Sequence, residues 1–377
     1  MNRTYDVIVL GAGSMGMAAG AFLAKQNARV SLIDAFDPPH ANGSHHGDTR
    51  MIRHAYGEGK KYVPMVLRAQ KLWEELEAET GKHLFERTGV LGLANIGSAF
   101  LEEEIISAKQ FDLPLEILMA EEVKKRWPGI TVSDEIMGAF EPSSGILYSE
   151  ECIRAYRQVA TQHGADLLTN TPAKSITYHA DGVTVHTEKG DYHADKLIVT
   201  GGSWTSSLLK DLELPLQPFR KTVVWYEADE AMYGLGKFPS YFMDLPNDRF
   251  YGFPSIQGSG LKIGSHDAGR NIDPDRVNRL FGSEPDDDGD LGTVAQRFFP
   301  GVTNNRVRGQ VCLVTWTPDH DFIIDRHPNH DHVLIVSACS AHGFKFASVV
   351  GEISAQLTLQ GKTDFDLTPF ALSRFVR

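Results

Sequence analysis

The segment from Ser44 to His54 concentrates side chains that could bind an anion. Its eleven residues include three histidines and two arginines, Arg50 and Arg53, whereas solvated loops usually mix in acids and lysines. Guanidinium groups hold carboxylates through paired hydrogen bonds, so these arginines point to an anionic substrate or a bound cofactor. The alternative is a solvated, weakly metal-binding loop, but no second cluster at a defined spacing supplies the remaining metal ligands.

A glycine-rich turn near the start of the chain has the spacing of a dinucleotide fingerprint. Gly11, Gly13 and Gly16 match G-x-G-x-x-G, and Asp34 follows eighteen residues after Gly16. The first glycine permits a tight turn, the second lets the backbone approach a pyrophosphate, and the third lets helix and strand pack closely. Asp34 is placed to accept a hydrogen bond from a ribose hydroxyl, which argues against a 2′-phosphate there.

Regular elements flank this turn in the order that the fingerprint requires. Tyr5–Leu10 is an apolar run of strand length, Ser14 lies in the turn, a helix of small residues runs from Met15 to Lys25, and a second strand follows. The N-terminus of that helix offers free N–H groups to phosphate. The apolar stretch is not expected to be a secretory signal, because Asp6 interrupts it, glycines dilute it, and cleavage would remove the turn.

Length, charge and cysteine content limit the class of protein. The 377 residues allow two or three domains. The net charge of −12, from 37 basic and 49 acidic residues, disfavours nucleic acid and anionic membranes as partners. Cys152, Cys312 and Cys339 are too few and too scattered for a disulfide framework. We therefore expect a cytoplasmic protein that acts on small molecules.

The pattern of elements predicts two interleaved domains. Helices are predicted at five places by apolar residues at helical spacing: 62–80, 102–110, 120–127, 149–163 and 345–360. The predicted α/β fold has a Rossmann-like domain and a second, α+β domain with a mostly antiparallel sheet. The first domain is expected to comprise 1–85, 146–218 and 318–377, and the second 86–145 and 219–317.

Two further clusters of titratable residues predict surface turns rather than metal sites. Glu284–Leu291 fails as a calcium loop, because Gly289 in the sixth position puts Ala295, not a glutamate, in the twelfth. We therefore expect this acidic segment to be solvated. His327–His332, with three histidines around Pro328-Asn329, is expected to be a surface turn as well.

Several strings spread over nearly the whole chain are typical of one enzyme family. They are Gly43–Arg50, Ile52–Gly59, Tyr251–Pro254, Leu261–Gly264, Asp321–Asp325, His342–Phe346 and Asp366-Leu367. In these strings the chain resembles the monomeric sarcosine oxidase family of flavin amine oxidases, which includes N-methyltryptophan oxidase. The likeness is strongest to the bacterial sarcosine oxidases, and it implies an FAD enzyme that is a monomer.

The resemblance implies that FAD is attached covalently, through a thioether between Cys312 and the flavin 8α position. The pattern around Cys312 alone fits a core cysteine equally well. A tethered, electron-poor flavin stays bound in dilute enzyme and has a raised potential, which suits amine oxidation. The resemblance also puts Gly343 and Lys345 beside the cofactor.

The same resemblance puts His46, Thr49 and Arg50 against the isoalloxazine ring, with Arg50 favouring the reduced anion. Lys262 resembles the lysine over the flavin that helps O2 to react, since a fixed positive charge stabilises superoxide as it forms. In a strand of alternating pattern, however, Lys262 could equally face solvent.

For the substrate, the resemblance implies that Arg53 and Lys345 hold the carboxylate, with Tyr56 nearby. Paired charge is needed there, because a buried carboxylate otherwise loses its hydration without compensation. Tyr251 and His266 are implied to lie near the substrate amine. The alternatives are a structural salt bridge for Arg53, a solvated lysine at the start of a helix for Lys345, and a core histidine for His266.

Val314 departs from the family pattern. It stands two residues after the attachment cysteine, where the family commonly has a pocket tyrosine. A ring and a hydroxyl are lost, so we expect a larger or less polar pocket. The substrate could therefore be a bulkier N-methyl amino acid, or a cyclic secondary amine such as proline, instead of sarcosine.

The implied reaction is oxidative demethylation of an N-methyl amino acid. A neutral amine assists transfer of a hydride from the N-methyl group to the flavin, the imine is hydrolysed to amine and formaldehyde, and O2 is reduced to H2O2. A nicotinamide-dependent dehydrogenase would share the fingerprint but gives no reason for Cys312 or the segment of arginines and histidines. A non-catalytic flavoprotein would bind FAD but would not be reduced by sarcosine.

Overall fold

The computed structural model describes residues 4–246, 248–267 and 269–375. Its strands are β1 Thr4–Leu10, β2 Val30–Ile33, β3 Thr49–Ile52, β4 Phe85–Glu86, β5 Val90–Asn95, β6 Glu116–Met119, β7 Ile136–Glu141, β8 Gly145–Tyr148, β9 Asp166–Leu168, β10 Ala173–His179, β11 Gly182–Thr187, β12 Gly190–Val199, β13 Gln217–Ala228, β14 Ser240–Leu245, β15 Asp248–Phe253, β16 Leu261–Ser265, β17 Arg270–Asn271, β18 Val302–Trp316, β19 Ile323–His327 and β20 His330–Ser337. Its α-helices are α1 Ser14–Lys25, α2 Val63–Thr80, α3 Ala99–Gln110, α4 Ala120–Arg126, α5 Ser149–Gln162, α6 Thr205–Leu208, α7 Glu230–Tyr233, α8 Leu291–Phe298 and α9 Ala347–Gln360.

An eight-stranded sheet is built around β1, and it contains the fingerprint. Its main order is β10-β11-β12-β1-β2-β9, and β20 continues it beside the end of β12, followed by β19. β1 pairs in parallel with both β2 and β12. The strands come from three separated segments of the chain, as the sequence predicts. The carboxyl end of β1, where such sheets bind ligands, therefore lies at the centre of the sheet.

A nine-stranded sheet provides the other half of the architecture. Its order is β17-β13-β16-β15-β14-β5-β7-β6, with β18 paired along the length of β13. All these pairings are antiparallel except that of β14 with β5. A small sheet with the order β3-β8-β4 completes the described strands. The mixed α/β architecture is thus confirmed, whereas the domain boundaries given above stay a prediction.

Helices α1, α2, α5 and α9 cover one face of the first sheet and form the largest apolar core with it. α1 and α9 approach so closely that a Cβ on Gly351 would lie 2.6 Å from the Cβ of Ala18. α2 has Pro64 in its first turn and ends at Gly81, whose φ of +67° a glycine adopts without strain. Among the described residues, no helix combines the length and apolarity needed to span a lipid bilayer.

Two of the expected surface turns are not fully solvated. Asp287, in the acidic segment, is only 2% exposed and is ion-paired with Arg220 of β13. His327 is 1% exposed and lies 2.8 Å from Asp211. Both expectations were wrong for these residues. Asp287 pairs with an arginine, and His327 bonds to a carboxylate, and both partners are far away in sequence, so local patterns do not reveal them.

Candidate active site

The glycine turn has no room for side chains at two of its positions. Gly11 has a φ of +97°, and a Cβ there would lie 2.5 Å from the carbonyl oxygen of Thr200. A Cβ on Gly16 would lie 1.9 Å from the oxygen of Gly11. Gly13 has only His45 within 4 Å, at 3.7 Å. The first and third glycines are thus required by the fold itself, whereas the second keeps the turn open to a ligand.

Asp34 supports this turn from the end of β2. One carboxylate oxygen accepts a hydrogen bond from the N–H of Ala12 at 2.6 Å, and the other accepts one from the N–H of Phe36 at 2.8 Å. Each oxygen has a further lone pair, and the residue lines the main cavity. It therefore retains the capacity to accept a hydroxyl group from a ligand.

A cavity of about 800 Å³ connects the glycine turn with the segment rich in arginine and histidine. Its volume lies in the range of roughly 300–1,000 Å³ that is usual for ligand sites. Thirteen of the residues singled out in the sequence line it: Gly11, Gly13, Ser14, Met15, Asp34, Arg50, Arg53, Tyr251, His266, Cys312, Val314, Gly343 and Lys345. The five that do not are Gly16, His46, Thr49, Tyr56 and Lys262.

Cys312 lies on β18 in an electropositive part of the cavity wall. Its side chain is buried, and Sγ lies 4.0 Å from the carbonyl oxygen of His46. Burial raises the pKa of the thiol, but His46, Arg50 and Lys262 outweigh it and lower the pKa to about 7. Since the thiolate is the reactive form, this cysteine is suited to forming a covalent bond with an electrophile in the cavity.

Lys262 points inward from β16 and does not face solvent. It is 3% exposed, and its Nζ donates to the carbonyl oxygen of Gly47 at 2.5 Å and to both oxygens of Thr49 at 3.1 Å. Burial, and then the charge of Arg50, lowers its pKa well below the usual range. The hydrogen bonds of Nζ hold the 47–49 segment against the second sheet.

Arg50 stabilises the segment that precedes it through hydrogen bonds to three of its carbonyl oxygens. Its guanidinium donates to the carbonyl oxygens of Ser44, His46 and Thr49 at 2.6–2.8 Å. For His46, the neighbouring Cys312 raises the pKa of the imidazole despite the opposing effect of burial. His46 Nε2 is buried and has no hydrogen-bond partner among the described residues. The segment thus keeps a compact shape, with Arg50 exposed to the cavity.

Arg53 is buried and already paired. It donates to the carboxylate of Glu58 at 2.5 and 2.7 Å, and its guanidinium lies 4.4 Å from the centre of the Tyr56 ring. Burial raises the pKa of Glu58, but Arg53, His342 and Lys345 outweigh it and lower the pKa to about 2. The structural salt bridge that the sequence left as an alternative is therefore present. The pair lines the cavity, so Arg53 is also accessible to a ligand that replaces Glu58.

Lys345 is a second buried cation beside Arg53. Its Nζ donates to the hydroxyl of Tyr56 at 3.1 Å and to the carbonyl oxygen of His342 at 2.9 Å. Burial, and then Arg53, lowers the pKa of Lys345 to about 7, although Glu58 opposes the shift. A solvated lysine is thereby excluded. Arg53 and Lys345 line the cavity, and the Tyr56 hydroxyl bonds to Lys345 from outside the lining. Two such cationic side chains together can hold a carboxylate.

Tyr251 lies on β15, and His266 directly follows the neighbouring strand β16. Both residues line the cavity. Tyr251 of β15 is paired with Gly264 of β16, and a Cβ there would lie 2.7 Å from the tyrosine ring. His266 Nδ1 lies 3.0 Å from a carboxylate oxygen of Asp267, and burial lowers the pKa of the imidazole. Val314 lines the same cavity from β18. These residues line the same cavity as Arg53 and Lys345.

The close approach at Gly343 shapes the turn that carries Lys345. A Cβ on Gly343 would lie 1.9 Å from the carbonyl oxygen of Ala338. Ser340 and Ala341, just before it, have φ values of +55° and +65°. Such strained backbone clusters at ligand sites, and here all of these residues line the cavity.

Sequence reasoning gave no role to three residues of the site: Glu58, Lys221 and His342. An acid five residues after Arg53 was a usable signal for Glu58. For Lys221 no local signal exists, because its contact is the carbonyl oxygen of His266, 45 residues away. His342 occurs in a recognised string, but its bond to the Tyr56 hydroxyl, at 2.9 Å, spans 286 residues.

The chain is similar to known oxidases over nearly its whole length. The model of the FAD dependent oxidoreductase family matches residues 6–357. A curated monomeric sarcosine oxidase of Bacillus sp. (strain B-0618) is 50% identical over 378 aligned residues, which cover 99% of this chain and 97% of the relative. An N-methyl-L-tryptophan oxidase of Escherichia coli is 45% identical over 373 residues, covering 98% and 99%.

Among solved structures, glycine oxidase from Geobacillus kaustophilus has the same fold. The superposition has a TM-score of 0.84 and covers 100% of both chains, at 21% sequence identity. The overall architecture is thus that of flavoprotein oxidases, and the finer likeness rests on the sequence relatives.

Proposed function

The chain belongs to the FAD dependent oxidoreductase family, and we propose that it oxidises sarcosine or a related N-methyl amino acid with FAD and O2. The products are the demethylated amino acid, formaldehyde and H2O2. One observation carries the proposal: a single cavity is lined by the glycine turn, by Cys312 and by the paired side chains Arg53 and Lys345. The 50% identity with a monomeric sarcosine oxidase supports the same substrate class.

The residues at the glycine turn fit FAD. A Cβ would be blocked at Gly11 and Gly16 but not at Gly13, so the backbone is exposed where a pyrophosphate approaches the start of α1. Asp34, Ser14 and Met15 line the adjoining wall. When bound, FAD supplies the hydride acceptor and passes the electrons to O2.

We assign the covalent attachment to Cys312. The pKa of its thiol is lowered to about 7 by His46, Arg50 and Lys262, so a substantial thiolate fraction exists at neutral pH. The thiolate would be the nucleophile for a thioether at the flavin 8α carbon: the methyl group there would lose a proton, and the two electrons left on the flavin would pass to O2, giving H2O2. By contrast, burial raises the pKa of Cys152 well above its usual value, and Cys152 does not line the cavity.

We assign the substrate carboxylate to Arg53 and Lys345. Both are buried, so a carboxylate that enters between them forms strong charge-assisted hydrogen bonds. Glu58 occupies Arg53 in this structure, and the substrate carboxylate must therefore replace it. Tyr56, whose hydroxyl accepts from Lys345 Nζ, orients that lysine.

We assign the substrate amine to the wall formed by Tyr251 and His266. The lowered pKa of His266 keeps its imidazole neutral at pH 7, so it can accept a proton or a hydrogen bond from the amine. A neutral amine is needed because its lone pair assists hydride departure from the N-methyl group.

Arg50, which lines the cavity, would supply positive charge on the flavin side. His46, Thr49 and Lys262 do not line the cavity, and Lys262 holds the segment around Arg50 in place through Gly47 and Thr49. In its ammonium form Lys262 would favour the reaction with O2.

A second candidate is oxidation of a bulkier N-methyl amino acid or a cyclic secondary amine. Val314 lines the cavity from β18 and provides less bulk than a tyrosine would. The 45% identity with N-methyl-L-tryptophan oxidase favours the same alternative. Comparison of kcat/KM for sarcosine, proline and N-methyltryptophan distinguishes the candidates.

The deciding experiment uses purified protein that is precipitated with acid and, in a separate native sample, mixed with sarcosine under anaerobic conditions. We expect yellow colour in the pellet and loss of flavin absorbance in the native sample. Cys312→Ala should release all flavin to the supernatant, whereas Cys152→Ala, a control cysteine outside the cavity, should retain it. Flavin in the pellet of Cys312→Ala would disprove the attachment, and an oxidised spectrum after every N-methyl amino acid tested would disprove the oxidase.

A cytoplasmic location and a monomeric state belong to the same proposal. They are tested by cell fractionation and by sedimentation of the FAD-loaded protein. A dimer at micromolar concentration would contradict the expectation of a monomer.

A further inference from the structure

Lys221 is a buried cation at the cavity that the proposed reaction does not use. It lies on β13 directly opposite Cys312 of β18, and residues that face each other in an antiparallel pair point to the same side of the sheet. The neighbouring pair on this face is Phe219 with Val314. Lys221 is 7% exposed and lines the cavity. It therefore lies beside Val314, where we expect the additional space.

The ammonium group of Lys221 has unused hydrogen-bonding capacity. An ammonium has three N–H donors, and among the described residues its one acceptor is the carbonyl oxygen of His266. The Trp316 ring, 5.1 Å away, covers another side. Gly269, where a Cβ would lie 3.0 Å from Lys221 Cγ, packs against the aliphatic stem. The stem is thus held in place while donors remain available to a ligand.

Asp267, whose charge acts on Lys221, is already bonded to other groups, and so is Asp244, which lines the cavity. Asp267 accepts from Arg249 at 3.1 Å and lies 3.0 Å from His266 Nδ1, and Asp244 accepts from Arg249 at 2.8 Å. Among the described residues, no carboxylate lies within 4.0 Å of Lys221 Nζ in an ion pair. A buried cation without a paired anion is costly unless a ligand supplies one.

We propose that Lys221 forms a second anion subsite, which selects N-methyl amino acids that carry a carboxylate on the side chain. This inference rests on the proposed function, because Arg53 and Lys345 hold the α-carboxylate and leave Lys221 for the other charge. Val314 provides the space for the longer side chain, and His266, whose carbonyl oxygen Lys221 contacts, connects the subsite with the amine.

The burial of Lys221 supports this selection. Burial lowers the pKa of Lys221 to about 8, with Asp267 opposing the shift. The ammonium form therefore still predominates at pH 7, and an approaching carboxylate stabilises it further. A neutral side chain of the same size would leave the cation without a counter-charge.

The test compares N-methylaspartate with N-methylasparagine, in both enantiomers, since this pair differs in charge but hardly in shape. The FAD-loaded enzyme is assayed for H2O2 formation at pH 7, with sarcosine as reference substrate. We expect kcat/KM for the acid to exceed that for the amide at least tenfold. Equal values, or a preference for the amide, would overturn the subsite. Failure with all substrates, sarcosine included, would instead refute the proposed oxidase, on which the subsite depends.

The variant Lys221→Met tests whether the preference for the acid over the amide depends on Lys221. We expect the ratio of kcat/KM for acid over amide to fall at least tenfold in this variant. The control is Lys196→Met. Lys196 is partly buried and lies outside the cavity, and its Nζ, like that of Lys221, contacts one carbonyl oxygen, that of Thr358. This variant should keep the ratio. An unchanged ratio in Lys221→Met would overturn the proposal, and so would loss of FAD from that variant, because the lysine would then serve the cofactor.

Discussion

At the scale of residues, the site is a group of buried cations with few counter-charges. Arg53, Lys345, Lys262 and Lys221 are all buried, and Glu58 is the acid that reaches two of them electrostatically. Removing a cation from water is costly unless an anion or several acceptors replace the hydration. An anionic substrate therefore gains binding energy from Lys345, and from Arg53 once it displaces Glu58.

Lys345 should make carboxylate binding depend on pH. Its pKa is lowered to about 7, so the charged form that attracts a carboxylate is present below pH 7 and lost above it. We expect the Kd of a simple carboxylate such as acetate, followed by the flavin spectrum, to be level from about pH 5.5 to pH 6, where acetate is still mostly ionised. Above pH 7 it should rise, by at most about tenfold per unit of pH.

Two variants test this assignment. Lys345→Met should weaken acetate binding at pH 6 about tenfold, within the range for a charged hydrogen bond, and should remove the inflection near pH 7. Lys71→Met, an exposed lysine of α2, should leave the profile as it is. An inflection that persists in Lys345→Met would assign the titration to another group.

At the scale of elements, the sequence predicted what depends on local spacing. The fingerprint, the helix α1 and the helix α2 follow from patterns within a few turns of chain, and the structure has them within one or two residues. Glu58 pairs only five residues from Arg53, yet Lys221 contacts a residue 45 positions away and Asp287 pairs with Arg220 across 67. Such contacts are created by sheet register, which a single sequence does not encode locally.

The glycine turn permits a comparison of two glycines only two residues apart. Gly11→Ala should unfold or misfold the turn, because the Cβ meets Thr200 at 2.5 Å and φ is +97°; we expect a loss of at least about 3 kcal/mol in unfolding free energy. Gly13→Ala has no such contact and should stay within about 1 kcal/mol of its parent. It should nevertheless bind FAD several-fold more weakly, because the Cβ stands where the pyrophosphate approaches.

Both glycine variants are best made in a Cys312→Ala background, in which FAD binding is reversible and its Kd can be titrated. Urea unfolding without FAD then measures the fold, and the Kd measures the ligand site. If Gly13→Ala unfolded as readily as Gly11→Ala, the second glycine would serve the fold and not the cofactor. If the Kd for FAD were unchanged in Gly13→Ala, Gly13 would not lie at the phosphate site.

At the scale of the whole molecule, the cavity lies where the two large sheets meet. The first sheet supplies the glycine turn and Asp34, the second supplies Tyr251, Lys221 and Cys312, and the small sheet supplies Arg50 from β3. Ionisable side chains are therefore buried between elements that are distant in sequence. Their protonation must change when the molecule unfolds, which connects the stability of the whole chain with pH.

Glu104 of α3 should dominate this connection. It is 2% exposed, and one of its carboxylate oxygens has no hydrogen-bond partner among the described residues. Burial, aided by Glu141 and Glu58 and opposed by Arg53, raises its pKa to about 8 from 4.5. Between these two values the folded protein holds a proton that the unfolded chain releases. Stability should therefore fall as pH rises through this window, by up to about 1.4 kcal/mol per unit of pH from this group.

Glu104→Gln keeps the shape of the protonated side chain and removes its titration. Relative to the parent, the variant should gain unfolding free energy progressively from pH 5 to pH 8, as measured by urea titrations of the FAD-loaded protein at each pH. Glu102→Gln, on the exposed side of the same helix, is the control for loss of a carboxylate. Its unfolding free energy should differ from that of the parent by a constant amount across this pH range. A constant difference between Glu104→Gln and the parent across this range would mean that Glu104 is ionised in the folded protein, with Arg53 as its counter-charge. The prediction that Glu104 is neutral in the folded protein would then be wrong.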